Sequence, residues 1–86
     1  MPIGITLVQE LEDYSEEILN IVSCNVKKYR KMRGLSQIEL GLEIGMSGGA
    51  YIGKAEIRKD NHHFNIEQIA KISKVLDIPI SAFFEL

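Results

Sequence analysis

From Ile18 to Met32 the apolar residues stand at Ile18, Ile21, Val22, Val26, Tyr29 and Met32, with helix-forming polar residues between them. Spacings of three and four residues follow the period of an α-helix and no other regular structure. The run stops at Gly34 behind Lys31 and Arg33, where a residue tolerant of positive φ follows cations that suit a helix C-terminus. At the other end, Asp13 and Glu16 have capping-box spacing within an acidic cluster, so the helix is expected to begin there.

The rest of the chain is punctuated in the same way. Ser36 precedes Gln37-Ile38-Glu39-Leu40, an N-cap with its glutamate three residues on, and opens a second helix that runs to about Ile44 and stops at Gly45. A third helix fits Gly49–Ile57, the polar stretch Arg58–His63 reads as a loop, and Asn65 caps a fourth helix carrying Ile66, Ile69, Ile72 and Leu76. Pro79 leaves room only for a short last helix, Ser81–Phe84. Alternation of apolar and polar residues occurs only at Ile3-Gly4-Ile5-Thr6-Leu7, and a single strand has nothing to pair with, so the fold class is all-α. Leu7, Leu11, Tyr14, Ile18 and Ile21 carry the helical spacing upstream, predicting a preceding helix with Thr6 and Gln9 as its capping pair and a break near Asp13.

Eighty-six residues make one domain, here read as an acidic, apolar extension over residues 1–14 followed by a main body over 15–86. Cys24 is the sole cysteine, which excludes a disulfide framework, and its apolar neighbourhood reads as a small buried hydrophobe in a reducing, cytoplasmic setting. No apolar run is long enough to span a bilayer, and no lysine or arginine marks a leader in the first eight residues. His62-His63 reads as an exposed pair without a third ligand, so no metal site and no cofactor is expected. Nor does any nucleophile have an identifiable base, which argues against an enzyme.

The net charge of −2 conceals a division. Residues 1–23 hold five acids and no basic residue, whereas residues 24–86 hold all ten Lys/Arg against seven acids. Half of those cations fall at Lys27, Lys28, Arg30, Lys31 and Arg33, either a solvated helix face or a patch for phosphate.

The order Arg30, Gly34-Leu35-Ser36-Gln37, Leu40, Ile44-Gly45-Met46-Ser47, then Ile52 and Glu56, then Leu76-Asp77-Ile78-Pro79-Ile80-Ser81-Ala82-Phe83-Phe84 resembles the Cro/repressor-type helix-turn-helix family over residues 24–86. The resemblance implies a five-helix repressor-like bundle, with the N-terminal segment added, and a partner in double-stranded DNA. It implies that Arg30 and Glu56 form a structural ion pair, that Gln37 grips a phosphate, and that helix 3 enters the major groove. The DNA-facing set is then Gln37, Ser47, Gly49, Ala50, Tyr51, Lys54, Arg58 and Lys59. Leu35, Leu40, Ile44, Met46, Ile52 and Ile69 read as core.

Three departures mark this chain. Gly48-Gly49 adds a residue ahead of helix 3, Gly41 stands where the family usually has alanine, and the loop after helix 3 is longer by about two residues. The expected function is a sequence-specific regulator of repressor type, binding an inverted repeat as a homodimer. A second reading is a protein-interaction module or antitoxin-like autoregulator that keeps the fold with weak or no base reading. Ile3, Ile5, Leu7, Val8 and Leu11 are too apolar a set to leave in water, and they pack either on the same bundle or across a dimer, the latter being favoured.

Overall fold

The computed structural model describes residues 7–86, which form helices α1 (Val8–Met32), α2 (Gln37–Glu43), α3 (Ala50–Glu56) and α4 (Ile66–Leu76), with 3-10 turns at Lys59–Asn61 and Ile80–Phe84. The described residues contain no strand. The last of these turns stands where the short fifth helix is expected, and Ile3, Ile5 and the Thr6 cap lie outside the described residues.

One expectation is corrected at the start of the chain. α1 does not break near Asp13 but runs unbroken for 25 residues, about 37 Å at the usual rise. No glycine or proline interrupts Leu7 to Met32, and Asp13 accepts a hydrogen bond from Gln9 Nε2 at 2.8 Å instead of capping a new helix. The boundary between extension and body therefore falls inside one rigid element. Leu7 lies at its N-cap without a side-chain hydrogen bond.

The other helix ends follow local chemistry. Ser36 Oγ accepts from the Glu39 backbone N–H while the Glu39 carboxylate accepts from the Ser36 N–H, and Asn65 with Gln68 repeats the arrangement on α4. Those bonds hold the Glu39 carboxyl below its ordinary pKa, the backbone contribution being the larger. A lowered folded-state pKa stabilises the protein above the ordinary carboxylate range and loses that contribution as the pH falls through the folded value. Ser36→Ala should cost about 1 kcal/mol, whereas in denaturant melts against pH the loss caused by Glu39→Gln should shrink towards the acid side, where the wild-type carboxyl is itself protonated. A Glu39→Gln gap that stays constant to acid pH would show that the charge of the carboxylate contributes nothing at this cap.

The core gathers one face of every helix: Val22 and Val26 of α1, Leu40 and Ile44 around the end of α2, Ile52 and Ala55 of α3, Ile69, Ile72 and Leu76 of α4, and Phe64 and Phe83 from the connections. Leu35 and Met46, expected in the core, pack at its edge. Cys24 corrects its expectation, being exposed on the outer side of α1. Buried polar groups tie the elements together. Ser23 Oγ donates to the Ala55 carbonyl at 2.8 Å, and Asn25 Nδ2 donates to the carbonyls of Phe83 and Glu85 at 2.9 and 2.7 Å. Arg33 Nε donates to Leu76 O at 2.7 Å, satisfying a carbonyl at the end of α4.

Candidate nucleic-acid interface

α2 and α3 meet across a turn held by glycines. Gly45 has φ +91°, closed to most side chains, while Gly48 and Gly49 need no unusual backbone angle and are small for a different reason. A Cβ on buried Gly41 would fall on the Gly48 carbonyl group, 2.9 Å from its carbon, and a Cβ on Gly49 would stand 2.6 Å from the Ile38 nitrogen. The extra residue in the turn is thus lodged against α2, in space that the missing Gly41 methyl leaves open. A Cβ on Gly48 itself would meet nothing.

This seating fixes α3 with one side turned outward. Gln37, Ser47, Gly49, Ala50, Lys54 and Lys59 line one concave surface together with Ile38 and Ile57. Lys54 and Lys59 are both exposed on it, and Ser47 and Ala50 are open to solvent. Tyr51 borders an adjoining depression with Lys54 and His62. Its hydroxyl donates to the His63 carbonyl at 2.6 Å, and its ring meets His62 edge-on at 5.4 Å, so His62 is half-buried, unlike its exposed neighbour His63.

Beneath this surface Arg30 and Glu56 form a bidentate pair, Nε to Oε2 at 2.7 Å and Nη2 to Oε1 at 2.9 Å, with each residue 6% exposed. Arg30 Nη1 also donates to the Leu35 carbonyl at 2.8 Å, so the pair joins α1, the turn before α2 and the end of α3. Gln37 is its third member. The Gln37 amide donates to Glu56 Oε1 at 3.1 Å, which engages within the chain the side chain to which the resemblance assigns a phosphate.

Arg58 also differs from its expected place. Its backbone is left-handed, with φ 56°, and its guanidinium is spent within the chain: Nε donates to the His62 carbonyl at 2.8 Å, Nη1 to Asn20 Oδ1 and Nη2 to both Glu16 oxygens, each at 3.0 Å. Asn20 and Glu16 belong to the acidic first half of α1, so Arg58 fastens the loop after α3 to that part of the helix. A cation next to another cation gives no sign in sequence of which will face out. The partner carboxylate lies on a helix far away along the chain.

The described residues hold no group of three or more His, Cys, Asp or Glu side chains placed to share a metal ion, and no helix among them is long and apolar enough to cross a membrane. Residues 26–83 match the model of the HTH_3 helix-turn-helix family, and the chain belongs to that family, of Cro/C1 type. The family is one of DNA-binding regulators of transcription, and α2, the turn and α3 form its motif here. The first half of α1 lies outside the matched residues. No curated protein matches the chain.

Proposed function

We propose that this protein is a small sequence-specific regulator of transcription, of repressor type, that lays α3 in the major groove and acts in the cytoplasm without catalysis. The observation that carries the reading is the outward face of α3, where Lys54 and Lys59 stand exposed on a concave surface with small residues between them. An α-helix fits the major groove, and Gly49 and Ala50 let the backbone approach closely. Lys54 is placed to donate to a base edge, and Lys59, Ser47 and the turn around Gly49 to meet phosphates. Tyr51 offers its ring more than its hydroxyl, which already has a partner. Binding as a homodimer to an inverted repeat supplies the second half-site, about 34 Å away.

Anisotropy titrations of labelled duplex at several salt concentrations test this. Each phosphate neutralised releases counterions, so log affinity should fall linearly with log salt, and Lys59→Ala should flatten the slope by about one unit. Lys54→Ala should instead cost about 1–3 kcal/mol at one base position and leave the slope nearly unchanged. Absence of binding at low salt would replace this reading with a second. In that reading the chain keeps the fold as a protein-interaction module or antitoxin-like autoregulator, with a protein held by the α1 extension. The commitment of Gln37 and Tyr51 to partners within the chain favours it, because it leaves Lys54 as the long polar side chain of α3 that faces out.

A further inference from the structure

The outer side of α1 changes sign along its length. Glu10, Asp13 and Glu17 are exposed on its first half, Lys28 and Lys31 on its second, and half-buried Ile21 with exposed Cys24 lies between. Tyr14 and Met32, 66% and 64% exposed, add apolar surface near the two ends that nothing among the described residues covers. Glu10, Tyr14, Glu17, Ile21, Cys24, Lys28 and Lys31 follow spacings of three and four residues, so they form one continuous stripe. Beside its middle lies an open groove to which Ile21, Cys24 and Leu86 contribute apolar surface and Asp13, Glu17 and Glu85 an acidic rim.

We infer that this stripe is the surface on which two copies of the chain associate, with α1 antiparallel to its counterpart about a two-fold axis near Ile21 and Cys24. A second copy in that orientation answers the charge gradient. The acidic half of each α1 faces the basic half of the other, and every pair forms twice because the contact is self-complementary. The register that sets Glu17 against the partner's Lys28 also brings Asp13 towards the partner's Lys31, Tyr14 towards the partner's Met32, and Ile21 onto the partner's Cys24. A seam centred on Leu11 and Tyr14 would place acid against acid, which disfavours association. The inference rests on the homodimer in the proposed function and not on DNA binding.

Sedimentation equilibrium of the full chain tests it at about 50 mM salt, where exposed pairs are screened least. Wild type should be dimeric, and Glu17→Lys or Lys28→Glu alone should raise the dimer dissociation constant roughly tenfold or more, each reversing two pairs per dimer. The double variant Glu17→Lys/Lys28→Glu should recover the wild-type constant. A short bismaleimide should join Cys24 to the partner's Cys24 in wild type and the double variant. Both positions are exposed, and circular dichroism checks that each variant folds. A dimer indifferent to the single changes, or a double variant as weak as the singles, overturns this surface and leaves the homodimer standing. A monomeric wild type overturns both.

Discussion

Gly41→Ala, one added methyl, is expected to destabilise the protein by about 3 kcal/mol, the upper range for overpacking in a filled site, because the new carbon meets backbone that has no rotamer to change. The obstacle is the Gly48 carbonyl, and relief requires the turn before α3 to shift. At this chain length the loss corresponds to roughly 12–24 °C in melting temperature. Gly48→Ala is the control, since its Cβ would meet nothing and its φ is ordinary; it should melt close to wild type. Calorimetry on the two variants decides the matter. If Gly41→Ala melted within a few degrees of wild type, the turn would not be seated against α2 as described, and α3 would have freedom that the structure denies it.

Arg30→Met and Glu56→Leu should each cost about 3–5 kcal/mol, because each strands a buried charge, whereas the double change to two apolar residues should cost distinctly less than either single. The reason lies in the four hydrogen bonds made by the pair. Removing Arg30 leaves the Glu56 carboxylate with only the Gln37 amide, and removing Glu56 leaves Arg30 with only the Leu35 carbonyl. Denaturant melts of the three variants form a double-mutant cycle. Additive losses would mean that the two side chains act separately. Losses below 1 kcal/mol would mean that water reaches the pair freely.

What was legible in the sequence was chemistry acting over a few residues. Ser36 with Glu39 and Asn65 with Gln68 close their boxes with the nearest backbone, so α2 and α4 begin where the residue pattern places them. Asp13 with Glu16 carries the same pattern and caps nothing, because a box needs a chain that has left the helix, and Leu7 to Met32 contains no residue that makes it leave. The interface was half legible for a related reason. Lys54 and Lys59 face out as their positions on and after α3 suggest, but Arg58 is decided by Glu16 and Asn20, and Gln37 by Glu56, partners that only the folded chain brings near. Gly41 and Gly48-Gly49 were visible as separate departures from the family pattern. That they are one contact follows from the packing of α2 on the turn, which no local spacing encodes.

The amide of Asn25 holds two carbonyls near the far end of the described chain, those of Phe83 and Glu85, with Phe83 fully buried beside it. During synthesis this clasp cannot form until those residues have left the ribosome. Until then the core around α2 and α3 is missing its last aromatic ring. Contacts of such long sequence separation are slow to close and repay their loop entropy only when complete. The core beneath the motif is thus completed from residues 83 and 85, and a polypeptide truncated before Phe83 is expected to be less stable across α2 and α3.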